Sequence, residues 1–295
     1  MVVSLSSMAL ENVLTAKLGN TRVTGKEQYY TPLPLAHQLV EYVEQVLGPL
    51  KGKKVLEPAG GTGSFVEAAL AKGAQEVISF DIEPLHNRVQ LGSFLDQNLN
   101  QENLITISNP PFGRNNSLSI PFFNHAATVS EAICFIVPRS WRKWSVTNRL
   151  DLDFELVFDQ NLDIDYVDSS GELISDKSRL ATCFQIWKKN TKARVPVKIK
   201  DMGVIEKVGP EQADVALTIF GYGCGTLKQD FARVPNTTQL FLKLNHPKAL
   251  EALKNVDFSK FYKSTAYTEA LSIQEINYLL NEQIFADPMI EGSSK

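Results

Sequence analysis

The residues best placed to do chemistry are Asn109-Pro110-Pro111-Phe112, which follow the apolar run Leu104–Ser108 (LITIS). Two consecutive prolines fix φ and remove two N–H donors, and each pushes the residue before it toward extended geometry. A turn so constrained can hold the Asn109 amide and the Pro110 carbonyl rigidly and aim both at one point. Both are acceptors, so together they can receive the two hydrogens of an –NH₂ group. Phe112 can stack on a flat π-system that carries the amine. The plainer reading of the same residues is a loop breaker at a strand end.

A second group lies upstream. Glu57-Pro58-Ala59-Gly60-Gly61-Thr62-Gly63-Ser64-Phe65 joins a short apolar run to a helical one. Glycines in such a turn let the backbone pass close under a ligand. The spacing is not G-x-G-x-x-G, and no G-x-x-x-x-G-K-[ST] occurs, which argues against a Walker-type ATPase. Asp81 stands 24 residues beyond Glu57 at the end of the next apolar run. An acid there suits hydrogen bonding to ribose hydroxyls. Together the turn and its acid point to a nucleoside-containing cofactor; separately they are a tight strand–helix turn and a loop-capping acid.

These groups need elements to position them. Lys53–Glu57, Glu76–Ile82, Leu104–Ser108 and Ala132–Val137 read as strands, with helices at Ser64–Lys72 and Ile120–Val129. The strands are apolar on both faces, as in a parallel sheet covered by helices. Strand–helix alternation predicts an α/β fold with a doubly wound, mostly parallel sheet. Phe154–Phe158 and Ala181–Trp187 are later strands that can close its far edge. Upstream, apolar residues at helical spacing predict a helix over Pro32–Leu47, with Thr31 as N-cap and Gly48-Pro49 as its stop. The predicted division is a tail or leading helix over 1–25, a catalytic domain over 26–190, and a small α+β unit over 191–295. In that last unit Ser272 and Glu275 form a capping box for a helix over Ile273–Ile284, and Gly221–Thr226 is an aromatic-bearing turn between strands.

Composition bounds the function. The 295 residues carry 30 Lys+Arg against 33 Asp+Glu, a net charge of −3, with 43% hydrophobic and 21% charged residues. That excludes wholesale disorder and a highly basic nucleic-acid coat, but not a nucleic-acid enzyme with one positive face. No apolar run is long enough to span a bilayer, and Met1–Leu10 lacks the pattern of a secretory signal. Three dispersed cysteines and four histidines, with no C-x-x-C and no H-E-x-x-H, predict neither a disulfide scaffold nor a metal site. A reducing, cytoplasmic setting is expected, nucleoid-associated if the source is bacterial.

Charge is segregated downstream of the catalytic turn. Arg139–Arg149 has four basic residues and no acid; Asp151–Asp176 has nine acids and no base; Asp176–Lys200 has eight bases and one acid. Solvated loops and strand ends are the default reading. Basic patches suited to a phosphate backbone are the functional one, with Arg114, Arg139, Trp141, Arg142, Lys143 and Lys228 as candidate nucleic-acid contacts.

The order and spacing of EPAGGTGSF, FDIEP and SNPPF resemble those of the S-adenosylmethionine-dependent amino-methyltransferases. The sequence is most similar to the adenine-N6 DNA methyltransferases whose cofactor motifs precede the catalytic one. Tyr29-Tyr30-Thr31-Pro32 matches their upstream aromatic-x-Thr-Pro segment, and the resemblance covers roughly residues 28–189. It implies a seven-stranded Rossmann-like methyltransferase sheet and S-adenosyl-L-methionine as cofactor. It implies that Tyr30 and Thr31 touch the methionine end, and that Glu57, with Pro58 and Ala59 in the same turn, holds the cofactor's amino group. Gly60, Gly61 and Gly63 would pass beneath the methionine and ribose. Asp81 would bind the ribose hydroxyls and Ile82 would pack on the adenine. Asn109, Pro110, Pro111 and Phe112 would hold the target base, with Asn109 also bordering the cofactor.

Two departures accompany the match. Where the family often has Asp-Phe, this chain has Ser93-Phe94, with Asp96 three residues on from Ser93. Only Glu83–Val89 separates the second strand from the next strand-like segment, a short crossover that resembles the DNA-adenine branch. The resemblance therefore implies methyl transfer to adenine N6 in DNA, favoured over RNA, on a flipped or single-stranded base. An RNA adenine-N6 or guanine-N2 enzyme is the alternative. A protein-glutamine enzyme and a silent nucleic-acid-binding subunit stand further off. A C-terminal unit this small implies a short target or a protein partner that supplies specificity.

Overall fold

The computed structural model describes residues 29–164, 166, 180–232 and 234–289. The tail or leading helix predicted over 1–25, Arg233, and most of the acidic run beyond 164 lie outside the described residues. The described chain divides into two compact units. One comprises residues up to Pro138, Asn148–Ser178 and Thr182–Val195; the other comprises Arg139–Thr147, Arg179–Ala181 and Pro196 onward. The boundary expected near 190 is thus joined by a second one at 138/139, because the chain leaves the sheet there and residues 139–147 group with the later unit.

The first unit begins with helix α1 (Leu33–Leu47), whose Ala36, Leu39, Val40 and Val43 are buried at helical spacing. Gly48 ends it at φ +89°, donating its N–H to the Glu44 carbonyl. Its N-cap is Pro32 with no side-chain cap bond, not Thr31 as the sequence suggests. Strand β1 (Lys54–Glu57) then leads through the glycine turn into α2 (Ser64–Ala71), followed by β2 (Glu76–Asp81), the two-residue β3 (Gln90–Leu91) and β4 (Leu104–Ser108). Helix α3 (Ser119–Ala127) and strand β5 (Ser130–Pro138) follow, then β6 (Phe154–Leu162) and β7 (Thr182–Lys189).

These strands form one seven-stranded sheet in the order β3-β2-β1-β4-β5-β7-β6. β1 pairs in parallel with β2 and β4, and β4 in parallel with β5. β7 inserts antiparallel between β5 and β6. Every residue of β4 is buried, and so is β5 from Ala132 to Pro138, which explains why both read as unbroken apolar runs. The chain winds outward from β1 to β3 and then restarts at β4 in the other direction. The sheet is therefore doubly wound with its switch point between β1 and β4, where ligands of open α/β sheets bind.

Residues 82–89 link β2 to its parallel neighbour without a helix. Parallel crossovers are long because the chain must return the length of a strand. Here β3 pairs only with Phe80 and Asp81, the last two residues of β2, so almost no return is needed.

The second unit holds an antiparallel sheet of order β10-β9-β11-β8, from β8 (Ile205–Lys207), β9 (Val215–Phe220), β10 (Leu227–Lys228) and β11 (Thr238–Leu244). With it go the short α4 (Trp144–Thr147) and helices α5 (Ala249–Asn255), α6 (Ser259–Tyr262) and α7 (Ile273–Phe285). Val215, Leu217, Leu240, Leu242, Leu253, Ile276, Leu279 and Leu280 form its core. The predicted capping box is present, with Ser272 Oγ accepting from the Glu275 N–H and the Glu275 carboxylate accepting from the Ser272 N–H. No helix among the described residues is long and apolar enough to cross a membrane. Among them, no three His, Cys, Asp or Glu side chains group as a metal site requires.

Candidate active site

A cavity of about 430 Å³ opens at the carboxyl ends of β1, β2 and β4. Its wall brings together the glycine turn after β1, Asp81 and Ile82 after β2, Ser93 and Phe94 after β3, and Asn109–Gly113 after β4. Tyr29, Tyr30 and Thr31, from before α1, complete it. Every predicted cofactor or catalytic residue lines this cavity except Gly63.

The glycine turn is held by β2. Gly60 donates its N–H to the Phe80 carbonyl at 2.9 Å, and Gly61 donates to Asp81 Oδ2 at 2.8 Å. The other oxygen, Asp81 Oδ1, accepts the Glu83 N–H at 2.8 Å. A carboxylate offers about four lone-pair sites, so roughly two remain for a pair of vicinal hydroxyls. The glycines answer to neighbours within the protein. A Cβ on Gly60 would lie 2.2 Å from Ser79 Oγ, and one on Gly63 would lie 2.4 Å from the His86 ring. Gly61, at φ +46°, passes under the Tyr30 ring, 2.8 Å from where its Cβ would stand. The Tyr30 ring thus excludes a side chain at Gly61, and Gly63 starts α2 in a left-handed conformation at φ +80°.

Glu57 is 1% exposed. Its Oε1 accepts the Ala59 N–H at 2.9 Å and the Ser108 hydroxyl at 2.5 Å. Burial pushes its carboxyl up to about 8 despite these two bonds, and the charge of Asp81 adds to the rise. The Tyr30 hydroxyl is raised too, first by burial and then by Asp81 and Glu83. The lining acids are Glu57, Asp81, Glu83 and Asp96, and the lining residues include no Lys, Arg or His. Such a wall disfavours a pyrophosphate and favours a ligand that carries positive charge. Thr31 Oγ1 is buried in the same wall with no hydrogen-bond partner, which a ligand group can supply.

Asn109 is half-buried at the end of β4 and donates from Nδ2 to the Tyr29 carbonyl at 3.0 Å. A carbonyl only accepts, so the amide must present its –NH₂ there and its Oδ1 elsewhere. Among the described residues, neither Asn109 Oδ1 nor the Pro110 carbonyl accepts a hydrogen bond. Two acceptors on successive residues are thus fixed and unfilled. Phe112 is 8% exposed and lines the cavity beside them. Its carbonyl accepts the N–H groups of Leu118 and Ser119, which closes the following loop. Phe94 is 1% exposed and packs against Phe122 at 5.6 Å and His125 at 4.6 Å between ring centres, so it serves as wall and core together.

The expected nucleic-acid contacts separate. Arg114 is exposed one residue beyond the cavity-lining Gly113. Trp141 is fully buried, which corrects its reading as a base contact. Lys143 is also corrected: its Nζ lies 2.8 Å from Oε1 of the buried Glu275 and 3.1 Å from the Ala270 carbonyl, so its charge is spent inside the second unit. Trp144 packs on Phe261 and Tyr278 at 5.3 Å each. Arg139 and Arg142 are half-buried in the single 3₁₀ turn before Lys143, and Lys228 is half-buried on β10. Phe184 and Trp187 on β7 are core residues at 0% and 2% exposure. Ser108 and the Tyr29 main chain were missed. Ser108 ends a strand next to Glu57's strand, a signal that only strand order supplies. A main-chain contact leaves no trace in side-chain type.

Fold and site together define a doubly wound α/β protein with an acid-walled, nucleoside-sized cavity at its switch point. No family model matches the chain, and no curated protein matches it in sequence. Solved structures that it resembles include a proposed RNA methyltransferase of Pyrococcus horikoshii. That match has 23% identity and a TM-score of 0.45, over 65% of this chain and 100% of that one. A proposed class I S-adenosylmethionine-dependent methyltransferase of Listeria monocytogenes matches at 14% identity and a TM-score of 0.43, over 65% and 69%. The modification subunit of a proposed type I restriction enzyme from Vibrio vulnificus matches at 15% identity and a TM-score of 0.42, over 62% and 47%.

Proposed function

We propose that this protein transfers a methyl group from S-adenosyl-L-methionine to the exocyclic N6 amine of adenine in DNA. The observation that carries the reading is the pair of unfilled acceptors, Asn109 Oδ1 and the Pro110 carbonyl, on the wall of an acid-lined cavity. The residues fit the cofactor. Asp81 has lone pairs to spare for ribose hydroxyls, Glu57 is a buried acid suited to an ammonium group, and Thr31 Oγ1 lacks a partner. When bound, the cofactor supplies an electrophilic methyl group.

The protein's part is to hold and polarise the amine. An aromatic amine is a poor nucleophile because its lone pair is conjugated into the ring. Hydrogen bonds from both of its N–H groups to Asn109 and Pro110 favour a pyramidal nitrogen and stabilise the positive charge that develops on it. Phe112 adds stacking and, as that charge grows, cation–π attraction. Fixed orientation supplies much of the remainder. The base must leave a duplex to enter such a cavity, so the substrate is flipped or single-stranded.

DNA is favoured because the helix-free β2–β3 link is of the kind found in the DNA-adenine branch that the sequence resembles. The second unit is proposed to contact the substrate. The test is transfer of labelled methyl groups into DNA, followed by identification of the labelled nucleoside.

A further inference from the structure

The unit that holds the cavity carries 15 Lys+Arg against 21 Asp+Glu, a net −6, whereas the second unit carries 15 against 12, a net +3. Within the second unit one feature invites a ligand. Tyr222, in the turn from β9 to β10, is 95% exposed. A single exposed ring is ordinary, but here Tyr222 has exposed aromatics on adjoining segments.

The turn beneath that ring is fixed. Gly221 donates its N–H to the Glu269 carbonyl at 3.0 Å, Gly225 to Thr218 at 2.8 Å, and Thr226 to Gly223 at 3.0 Å, while Thr218 donates back to Thr226 at 2.9 Å. Cys224 is buried between them, and a Cβ on Gly225 would press on Phe258 at 3.0 Å. Gly221 and Gly225 stand at φ +92° and +88°, so the turn takes its shape from glycines and presents Tyr222 from a rigid base. Two more exposed aromatics lie on the adjoining segments. Phe220 is 43% exposed and bridges to Ala270, and Tyr267 is 54% exposed. Lys228 follows, half-buried, on β10.

The geometry points to this turn as a nucleic-acid contact, in which the Tyr222 ring stacks on an unpaired base and Lys228 meets the adjoining phosphate. Exposed aromatic rings are one means by which proteins hold single strands, since every base offers a π-face. The inference rests on the methyl-transfer reading above and adds where the strand is held.

The test is fluorescence anisotropy of the full chain with labelled oligonucleotides in three arms: single-stranded DNA, duplex DNA and RNA. Tyr222→Ala is expected to weaken binding about 5- to 100-fold in the arm that the wild type binds best, while Tyr222→Phe stays within about twofold. Lys228→Gln is expected to lower the salt dependence by about one phosphate contact. Equal binding by wild type and Tyr222→Ala overturns the proposal and leaves the methyl-transfer reading standing. Equal loss in Tyr222→Ala and Tyr222→Phe also overturns it. A wild type that binds no oligonucleotide in any arm removes both.

Discussion

The side-chain amide of Asn109 donates to the main-chain carbonyl of Tyr29 at 3.0 Å, across 80 positions of sequence. This bond fixes the orientation of the amide, with Nδ2 on the Tyr29 carbonyl and Oδ1 turned from it. The same segment places Tyr30 over Gly61 and Thr31 in the cavity wall, so three adjacent residues border both the proposed cofactor site and the proposed amine site. Asn109→Ala is expected to lower turnover at least about hundredfold, in line with the loss of one preorganised group in an active site. Pro110→Thr should act in the same direction by loosening the turn. S-adenosylmethionine affinity should change little in either variant, and an equal loss of that affinity by calorimetry would remove the assignment of these residues to the amine.

Asp81 holds the Gly61 and Glu83 N–H groups; its proposed second task is to receive ribose hydroxyls. Asp81→Ala is expected to weaken S-adenosylmethionine binding far more than it lowers the melting temperature. Calorimetry and thermal unfolding on one preparation check this, and unchanged affinity contradicts it.

Glu57 should make both stability and ligand binding depend on pH. Burial raises its carboxyl to about 8 in the folded chain, against the ordinary carboxylate range when unfolded. The folded state then holds the proton more tightly. Its contribution to stability is fully present below the unfolded value and is lost as pH rises toward 8, by a few kcal/mol in all. Glu57→Gln should flatten that fall and raise the melting temperature near pH 8. A cationic ligand requires the ionised form, so S-adenosylmethionine affinity should rise between pH 6 and pH 8, by at most about tenfold per unit, with release of a proton. Calorimetry in buffers of different ionisation heat counts that proton, and a pH-independent affinity speaks against the role.

Much of this was legible because it is written in local patterns. The buried strands β4 and β5 show as apolar runs, and the Asn-Pro-Pro-Phe turn shows as stereochemistry that no other residues impose. The Ser272–Glu275 capping box is a three-residue interval. What stayed hidden depends on distant partners. Trp141 and Lys143 read as a basic, aromatic patch until burial and the Glu275 carboxylate account for them. Thr31 looks like a helix cap, and its buried, unpartnered hydroxyl becomes visible only with the cavity. Gly60, Gly61 and Gly63 read alike in sequence, and it is Ser79, the Tyr30 ring and His86 respectively that leave no room for a Cβ at them.

The Lys143–Glu275 pair gives a test of that correction. Glu275 is 2% exposed in its side chain and Lys143 15%, and the same carboxylate closes the cap of α7. Lys143→Met leaves a buried acid without its cation and should destabilise the chain by about 3–5 kcal/mol. Urea unfolding measures this. A normal unfolding midpoint combined with weaker oligonucleotide binding would return Lys143 to the nucleic-acid surface.

The methylated atom is identified by analysis of the labelled product. Labelled S-adenosylmethionine is incubated with the protein and, in parallel, with single-stranded DNA, duplex DNA, RNA and protein, and the labelled product is digested to nucleosides or amino acids. The expected result is N6-methyladenine recovered from DNA, and its loss in Asn109→Ala. Label confined to RNA or to glutamine, or no transfer to any of them, contradicts the account.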